Sequence, residues 1–515
     1  MAVDEQKTLR KPLTGAEYLE SLNDGRELWL HGEKVKDPVN HPAFRNSARS
    51  IARLYDALHD PKYKDVLTAP TDTGTGTYTQ RFFKAFRSPE ELPAARDAIA
   101  QWARLTYGQM GRTPDYKGSF LGTLGGNPEY YAPFEENAKF WYKEAQEKVW
   151  FFNHAIINPP VDRHKPISEV GDVFVHVEKE TDAGIVVSGA KMVATGSTLC
   201  HYNFVAHYGA PIDKEEFALV FVAPMNIPGV KLICRQSYEL NAAVMGSPFD
   251  YPLSSRFDEN DTVLIFDKAL IPWENVLIYR NVEKANNFFP ISGFLHRFTF
   301  HGVTRLAVKL DFLCGLLLKA VRSTGVNNFR GVQAGVGEVI AWRNLFWAIS
   351  DAMAKSPQPG PNGTLLPNLQ YGLAYRVFMT YGWPKVLEII QHLIAGSLIV
   401  YPSSPEDFKN PELRPFIDKI YRGSNEFDAL NKMKLTKLLW DAIGTEYGGR
   451  HELYERNYSG NQDNIRIENL IVATMTGDAE QFEKLAQQCM DDYDLNGWVD
   501  DTWVNPHDVS KILKS

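Results

Sequence analysis

The chain contains few cysteines, and it has no long apolar run. Its 515 residues include four cysteines, Cys200, Cys234, Cys314 and Cys489. They are too scattered for a disulfide framework, and none forms a CxxC pair, so the sequence predicts neither a disulfide-stabilised fold nor a metal site. No uncharged apolar segment approaches the roughly 18 residues that a membrane span needs.

The charge and the N-terminal segment exclude further classes. The stretch MAVDEQKTLRKPLTG is charged and lacks the apolar region of a secretory signal. The formal net charge of −8 argues against a nucleic acid or an anionic membrane as partner. We therefore expect a cytoplasmic protein whose cysteines are reduced.

Common cofactor motifs are also missing. The sequence contains no GxGxxG, no P-loop and no HExxH. The first absence argues against a dinucleotide held on a glycine-rich turn, and the second argues against ATP chemistry. An enzyme of this sequence must therefore recognise its cofactor in another way.

Hydrophobic periodicity divides the chain into three regions. Residues 1–157 have the helical period, residues 158–290 change to a period of two, and residues 291–515 return to the helical period. Short polar turns separate the β-branched runs of the middle region, which favours an antiparallel barrel or sandwich. This order excludes a simple doubly wound dinucleotide fold, because that fold alternates strands with helices. We predict an N-terminal helical domain, a central antiparallel β domain and a C-terminal helical bundle with a tail.

Several long motifs resemble one enzyme family. They are GRTPDYK (111–117), FFNHAIINPPVDR (151–163), SGAKMVATGS (188–197), SPFDYPLSSRFDENDTVLIFD (247–267), IPWENVLIYR (271–280) and GGRHELYERNYSG (448–460). Together they resemble the large component of 4-hydroxyphenylacetate 3-monooxygenase. They also resemble its relatives, the chlorophenol monooxygenases and the hydroxylases of tyrosine-derived units in enediyne pathways. The resemblance extends from about Pro12 to Trp498.

The resemblance implies an acyl-CoA-dehydrogenase-like fold, with a four-helix bundle at the C-terminus, and a homotetramer. It implies an oxygenase that receives reduced FAD by diffusion from a separate NAD(P)H:flavin reductase and uses O2 as co-substrate. A C4a-hydroperoxyflavin then hydroxylates a para-substituted phenol at the ortho position. The missing dinucleotide motif is expected on this basis, because the nicotinamide binds to the partner.

Arg112 and Tyr116 are the first candidate catalytic residues. They stand four residues apart, and Pro114 between them predicts a helix start or a rigid turn. From the residues alone, Arg112 also fits an ion pair with Asp115 or an exposed position. The resemblance implies that Arg112 and Tyr116 line the phenol site, where an arginine stabilises a phenolate.

His154 is the third candidate, and it lies among aromatic and apolar neighbours in FFNHAII. A histidine in such surroundings is usually a core residue with satisfied hydrogen bonds. The resemblance implies instead that it contacts the substrate hydroxyl and the flavin. A neutral imidazole suits this position, because it donates one hydrogen bond and accepts another.

The resemblance also implies a set of flavin-binding residues. Thr195 and Ser459 are expected as hydroxyl donors, and Arg330 is a candidate for the diphosphate from a neighbouring subunit. The full set is His154, Ala155, Ile156, Pro160, Val161, Asp162, Arg163, Thr195, Arg330, Asn457, Tyr458, Ser459 and Gly460.

The polar segment His207–Phe217 links two predicted strands. In the family this loop closes over the substrate, which implies that Gly209 and Ala210 join Arg112, Tyr116 and His154 as substrate-binding residues. A closing loop would exclude water from the reaction. A plain hairpin connection is the alternative.

His301 bears on the identity of the phenol. The resemblance to the chlorophenol and enediyne branches implies a base that helps to deprotonate the substrate, and a halogen lowers the phenol pKa enough for an imidazole to do so. A histidine at a helix start that faces solvent or the bundle is the alternative. The substrate is therefore open between 4-hydroxyphenylacetate, a tyrosine-derived unit, a carrier-tethered (chloro-)β-tyrosine and a chlorophenol.

Two other interpretations compete with the hydroxylase. One is an acyl-CoA dehydrogenase or 4-hydroxybutyryl-CoA dehydratase relative on the same fold. The dehydratase needs cysteine and histidine ligands for an iron–sulfur cluster, and the four cysteines lack that pattern. The other is a binding protein without catalytic activity.

Overall fold

A computed structural model describes residues 10–162, 164–495 and 497–499. Helices come first, then two sheets, then a second set of helices, so the predicted α-β-α order is confirmed. The helices of the N-terminal region are α1 (Gly15–Ser21), α2 (Arg45–Ala57), α3 (Pro61–Leu67), α4 (Glu91–Leu105), α5 (Gly118–Gly126) and α6 (Glu135–Lys148).

The strands form two main sheets and three short hairpins. They are β1 (Glu27–Leu30), β2 (Glu33–Val35), β3 (Thr68–Pro70), β4 (Tyr78–Gln80), β5 (Phe152–Ala155), β6 (His176–Thr181), β7 (Gly184–Lys191), β8 (Tyr202–Val205), β9 (Leu219–Pro224), β10 (Val230–Cys234), β11 (Thr262–Pro272), β12 (Val276–Tyr279), β13 (Gln358–Pro359), β14 (Leu365–Leu366), β15 (Tyr493–Asp494) and β16 (Gly497–Trp498).

The larger sheet has the order β2-β1-β10-β11-β7-β6, and the smaller has the order β12-β9-β8-β5. Most neighbours are antiparallel, as predicted, but β1 pairs with β10 and β5 pairs with β8 in parallel. Both parallel strands come from residues 1–157, so this region contributes to the sheets as well as to the helices. The domain limits at 157 and 290 stay a prediction.

Burial explains why these segments form strands. Every apolar residue from Leu219 to Ala223 in β9 is buried, as in a strand covered on both faces. In β10, Val230 and Leu232 are buried while Lys231 between them is partly exposed. Strand β6 begins only at His176, after a turn at residues 171–172 and a bend at residue 173.

The remaining helices belong to the middle and C-terminal regions. They are α7 (Tyr238–Met245), α8 (Val282–Asn286), α9 (Phe288–Ile291), α10 (Phe294–Ser323), α11 (Arg330–Lys355), α12 (Leu369–Ile394), α13 (Pro405–Lys409), α14 (Arg414–Ile420), α15 (Ala429–Ile443), α16 (Glu446–Asn457), α17 (Gln462–Thr476) and α18 (Asp478–Asp491).

Helix α10 is the centre of the bundle. It packs against α11, α12 and α15, and it also reaches α4 and α5 of the N-terminal region. All residues from Phe298 to Leu310 are buried, as expected for a helix covered on every side. Its polar residues therefore face other protein groups. Within the residues that the structure describes, no helix is long and apolar enough to cross a membrane.

Candidate active site

A short 3-10 turn, Pro114–Lys117, carries the first candidate residues into the interior. Pro114 stands at its first position, where a missing N–H costs nothing, so the turn predicted from the proline is confirmed. Arg112, Asp115, Tyr116 and Lys117 are all buried. With Thr113, which is also buried, five polar side chains from one heptapeptide thus enter the core together.

Arg112 is enclosed by three tyrosines. Its Nη1 donates to the Tyr454 hydroxyl over 2.6 Å, and its guanidinium lies 4.3 Å from the ring centre of Tyr116 and 5.3 Å from that of Tyr458. It does not form an ion pair with Asp115, nor is it exposed, so both alternatives from the sequence are wrong. The backbone N–H of Arg112 donates to Glu259.

His154 lies at the same site, on β5. Its ring centre is 5.8 Å from that of Tyr116, and its Nδ1 is hydrogen-bonded to the side-chain nitrogen of Lys117. Burial, with the nearby charges of Lys117 and Arg112, holds the pKa of His154 well below its ordinary value. The imidazole is therefore neutral at pH 7, as the sequence interpretation requires.

His301 contacts Tyr116 from helix α10. Its ring centre is 5.1 Å from that of Tyr116, and its Nε2 lies 3.2 Å from Oδ1 of Asp115. Both side chains are buried. Across the described part of the chain, Nδ1 of His301 has no hydrogen-bond partner. A position facing solvent at the helix start is therefore excluded, and the carboxylate that was considered for Arg112 contacts His301 instead.

Two of the three segments assigned to the flavin approach Arg112, the second and the third. The first follows β5, the second is the turn after β7, and the third is the end of α16 with the residues beyond it. Gly196 in the second segment has φ +75, and a Cβ there would lie 2.8 Å from Nδ2 of Asn153 and 3.8 Å from Cβ of Arg112. Glycine is therefore required where the turn crosses β5 and the arginine.

The first two segments present apolar surface beside polar groups. Ala155 is buried and Ile156 partly buried, whereas Ile157, Val161 and Val193 expose 38%, 61% and 58% of their surface. Such exposed apolar groups fit the face of a flat aromatic ring. Pro160 is exposed and Asp162 partly so, while Arg163 lies outside the described residues. Thr195 is buried, and its hydroxyl donates to Asp261 over 2.6 Å.

The third segment packs tightly against the bundle. The hydroxyls of Tyr458 and Tyr375 lie 3.0 Å apart, and the carbonyl of Ser459 accepts from Nη2 of Arg376 over 2.5 Å. Gly460 has φ +120. Asn457 is exposed at the end of α16. The segment thus lies beside Arg112 through Tyr458, and its backbone is held by Arg376.

Arg330 does not join this cluster. It is exposed at the first position of α11. Its assignment to a flavin in a neighbouring subunit stays a prediction.

The loop between β8 and β9 contains Gly209 and Ala210, both exposed. Nε2 of His207 donates to the Ala210 carbonyl over 2.5 Å, so the loop is folded back on its own start. At its centre, Ile212 exchanges two hydrogen bonds with Asn286, of 2.8 and 3.0 Å. The loop is thus more ordered than a plain hairpin connection, and its closing over a substrate stays a prediction.

Sequence reasoning missed three polar residues at or near the site. Lys117, Lys191 and Tyr454 all stand inside the quoted motifs, but nothing in the sequence marked them as buried. Lys191 donates to Oδ1 of Asn158 over 2.7 Å, and burial lowers its pKa to about 7. Burial, with the charge of Arg112, also holds the pKa of Lys117 well below its ordinary value.

In the described chain, these basic groups at and near the site are not paired with carboxylates. Among residues 10–162, 164–495 and 497–499, the side chains of Arg112, Lys117 and Lys191 form no ion pair with a carboxylate. Removing a cation from water without a partner is costly. The site therefore has the electrostatics of a pocket that receives an anionic ligand, and both a phenolate and a flavin that carries phosphates fit this requirement.

A compensated charge cluster lies further along α10. Arg305 donates to both oxygens of Glu455, the second over 2.8 Å, and Lys309 donates to Glu455 and to Nδ1 of His451, each over 2.9 Å. His451 and Glu455 are both buried, and Lys309 joins them. No group of metal-binding side chains was found in the described ranges.

Comparison with known proteins places the chain in a family. The model of the 4-hydroxyphenylacetate 3-hydroxylase N-terminal region matches residues 14–278, and that of the C-terminal region matches residues 285–487. Together they include the 3-10 turn, β5 and the end of α16.

Two relatives are especially similar. The (3S)-3-amino-3-(3-chloro-4-hydroxyphenyl)propanoyl-[peptidyl-carrier protein SgcC2] monooxygenase of Streptomyces globisporus is 59% identical, over 96% of this chain and 94% of its own length. The oxygenase component of a 4-nitrophenol 2-monooxygenase from a Rhodococcus species is 56% identical, over 95% of this chain and 94% of its own length.

Comparison with solved structures points to the same family. The oxygenase component (HpaB) of a 4-hydroxyphenylacetate 3-monooxygenase, complexed with FAD, superposes with a TM-score of 0.87 at 32% identity, over 93% of this chain and 99% of its own. A 4-hydroxybutyryl-CoA dehydratase from N. maritimus superposes with a TM-score of 0.79 at 21% identity, over 91% of this chain and 95% of its own, which shows a shared fold alone.

The relatives and the FAD-bound solved structure identify the chain as a flavin-dependent monooxygenase, and its helical, β and bundle regions follow the predicted order. The chain belongs to the 4-hydroxyphenylacetate 3-hydroxylase family.

Proposed function

We propose that this chain is the oxygenase component of a two-component monooxygenase, which uses reduced FAD and O2 to hydroxylate a para-substituted phenol at the ortho position. The observation that carries the proposal is the buried cation Arg112, which forms no ion pair within the described chain and stands with two further buried basic groups, Lys117 and Lys191, that are also without an ion-pair partner there. A phenolate and an anionic cofactor would supply the missing charge.

Each residue at the site has a distinct task. Arg112 receives the phenol oxygen and stabilises its anionic form through a charge-assisted hydrogen bond. Tyr116 packs against the guanidinium and offers its hydroxyl to the same oxygen. His154, neutral and only partly buried, presents a ring nitrogen to the space between substrate and cofactor.

The flavin would lie against the apolar surface of Ile157, Val161 and Val193. Ala155, Ile156 and Pro160 to Arg163 border it on one side, with Thr195 on another and Asn457 to Gly460 on the third. When bound, reduced FAD supplies the electrons that activate O2. The protein contributes position, charge and exclusion of water, the last through the loop that carries Gly209 and Ala210.

The position of His301 beside the phenol site favours phenols of lowered pKa, since an imidazole can deprotonate these near neutral pH. The Asp115 carboxylate lies against the imidazole and orients it. Two of the most similar relatives are named for a chlorinated and a nitrated phenol, and both substituents withdraw electrons and acidify the hydroxyl. We therefore place a phenol with such a substituent, free or tethered to a carrier protein, ahead of 4-hydroxyphenylacetate.

The partners follow from the same proposal. A separate NAD(P)H:flavin reductase supplies reduced FAD by diffusion, and the protein works in the cytoplasm as a homotetramer. In a tetramer, the exposed Arg330 of one subunit is available to a flavin of another.

A substrate panel tests the function. The purified protein receives NADH, FAD and a flavin reductase, with 4-hydroxyphenylacetate, tyrosine, a chlorophenol, 4-nitrophenol or a carrier-tethered chlorotyrosine. We expect catechol formation and highest kcat/KM for a halogenated or nitrated phenol, and no product from the reductase alone. If every phenol gives only hydrogen peroxide, the proposal is wrong. If 4-hydroxyphenylacetate is preferred, the role of His301 in selectivity is wrong.

A further inference from the structure

Lys117 is a buried lysine without a carboxylate partner among the described residues. Its side chain is fully buried, and its nitrogen lies 4.2 Å from the ring centre of Tyr116 and 5.2 Å from that of Phe294. Within the part of the chain that the structure describes, its only hydrogen-bond partner is Nδ1 of His154. A lysine used merely for stability is normally exposed or paired with a carboxylate.

This hydrogen bond has a direction. Burial lowers the pKa of Lys117, but the faces of Tyr116 and Phe294 favour its ammonium form. An ammonium has three N–H donors and no acceptor, so in this form Nδ1 of His154 accepts. An imidazole that accepts at Nδ1 and is neutral carries its proton on Nε2. Nε2 has no hydrogen-bond partner among the described residues, and the histidine is only partly buried, so this N–H is free to donate.

The aromatic rings hold the lysine in place. Tyr116 and Phe294 present their faces to the side-chain nitrogen, which favours a cation there. The positive charge of Arg112 also acts on Lys117, and this interaction is repulsive. The nitrogen therefore has one strong acceptor within reach, the ring of His154.

We propose that Lys117 is a positioning residue that fixes His154 as the Nε2–H tautomer, so that this N–H donates to the oxygen of the substrate or of activated O2. The inference rests on the proposed function of His154 at the phenol site. In the other tautomer, Nε2 would be an acceptor and would repel a phenolate. Lys117 thus acts through His154, as an outer partner orients a ligating histidine.

The first test reads the tautomer without turnover. The protein is labelled with 15N-histidine, and the signal of His154 is assigned by its loss in His154→Gln. We expect a protonated Nε2 and an unprotonated Nδ1 in the native protein, and a mixture of tautomers in Lys117→Met. A native Nδ1–H signal, or no change in Lys117→Met, would overturn the proposal. Because this readout needs no flavin, it remains decisive if the proposed hydroxylation fails.

The second test measures coupling, the hydroxylated product formed per hydrogen peroxide released. We expect Lys117→Met to lower coupling by about tenfold, in line with the loss of other outer partners of histidine. Lys117→Gln, which keeps an N–H donor, should recover part of it. His154→Ala combined with Lys117→Met should be no worse than His154→Ala alone, and additive losses would contradict the proposal.

Lys309→Met is the matched control. Lys309 is also a buried lysine bonded to Nδ1 of a histidine, His451, but it lies in the compensated cluster with Glu455. We expect this variant to lower Tm without changing the coupling or the His154 signal. A loss of coupling equal to that of Lys117→Met would mean that removing any buried lysine disturbs the site, and the specific role of Lys117 would be rejected. Near-UV circular dichroism confirms that each variant is folded.

Discussion

Nε2 of His301 lies 3.2 Å from Oδ1 of Asp115, although the two residues are 186 positions apart in the chain. The contact joins the central bundle helix to the turn that carries Arg112 and Tyr116. The carboxylate also accepts from the Thr113 hydroxyl over 2.5 Å, which holds it in place. The pair therefore has the arrangement of a base and the group that orients it.

His301→Gln should convert the reaction into one that needs a phenol already ionised in solution. At a pH below the pKa of the phenol, kcat/KM should fall by about 100-fold, a common contribution of a general base. The loss should shrink as the pH rises through the pKa of the phenol. A pH profile of kcat/KM with a chlorophenol measures this. A deficit that is equal at every pH would show that His301 is not the base.

Arg112→Ala should weaken binding of the phenol much more than binding of the flavin. The variant loses a charge-assisted hydrogen bond, for which a cost of about 1.5–3 kcal/mol is usual, equal to at least a tenfold increase in Kd. Anaerobic titrations with phenol and with reduced FAD give the two constants separately. Equal losses for both ligands would contradict the assigned role. Arg330→Ala, an exposed arginine outside the cluster, is the matched control for phenol binding.

His154→Ala should divert the reaction toward hydrogen peroxide. The ring that stands between substrate and cofactor is removed, while Arg112 and Tyr116 remain. We expect NADH consumption to continue and the product to fall by about 100-fold, within the range for loss of an acid–base group. Peroxide and catechol are quantified in the same reaction. Unchanged coupling would remove His154 from the reacting centre.

Glu455→Gln should destabilise the fold. Burial by itself raises the pKa of Glu455, but the charges of Arg305 and Lys309 outweigh it and lower this pKa to about 2. The folded value is below the ordinary 4.5, so the contribution to stability is present above pH 4.5 and is lost as the pH falls toward 2. Breaking a buried pair of this kind costs about 3–5 kcal/mol.

Thermal unfolding as a function of pH checks this prediction. The native protein should lose Tm between pH 4.5 and 2 more steeply than the variant, because Glu455→Gln has no proton to take up there. The exposed pair of Lys409 and Glu406 provides the control: Glu406→Gln should change Tm little. Parallel curves for native protein and Glu455→Gln would show that this carboxylate does not control acid stability.

The sequence predicts the architecture well because architecture follows local periodicity. The helical period of residues 291–515 agrees with α10, α11, α12 and α15, and the period of two in residues 158–290 agrees with β7, β9, β10 and β11. Periodicity did not reveal that β1 and β5 leave the N-terminal region to pair in parallel with β10 and β8. Such pairings depend on the tertiary path of the chain, and a short strand has too few residues to show a pattern.

The sequence likewise predicted some residues of the candidate site and not others. The resemblance selected Tyr116 together with Arg112, His154 and His301. In the structure the last three all lie against Tyr116. Lys117 was not selected, because lysine is rarely buried and its partner His154 is 37 residues away.

The partner of Asp115 was also not predictable from the sequence: it is His301 and not Arg112. Sequence proximity favoured an ion pair with Arg112, three positions away, but the turn that begins at Pro114 directs the carboxylate toward α10.

Helix α10 carries His301, Arg305 and Lys309 at intervals of four residues, so the three side chains follow one face of the helix. His301 contacts the phenol-site turn, whereas Arg305 and Lys309 fasten α10 to Glu455 on α16, one residue beyond the tyrosine that holds Arg112. One face of α10 thus carries both the residue that we propose acts on the phenol and the two residues that fasten the helix to α16. Position 301 can therefore be substituted to suit a different phenol while the ion pairs of Arg305 and Lys309 with Glu455 are kept.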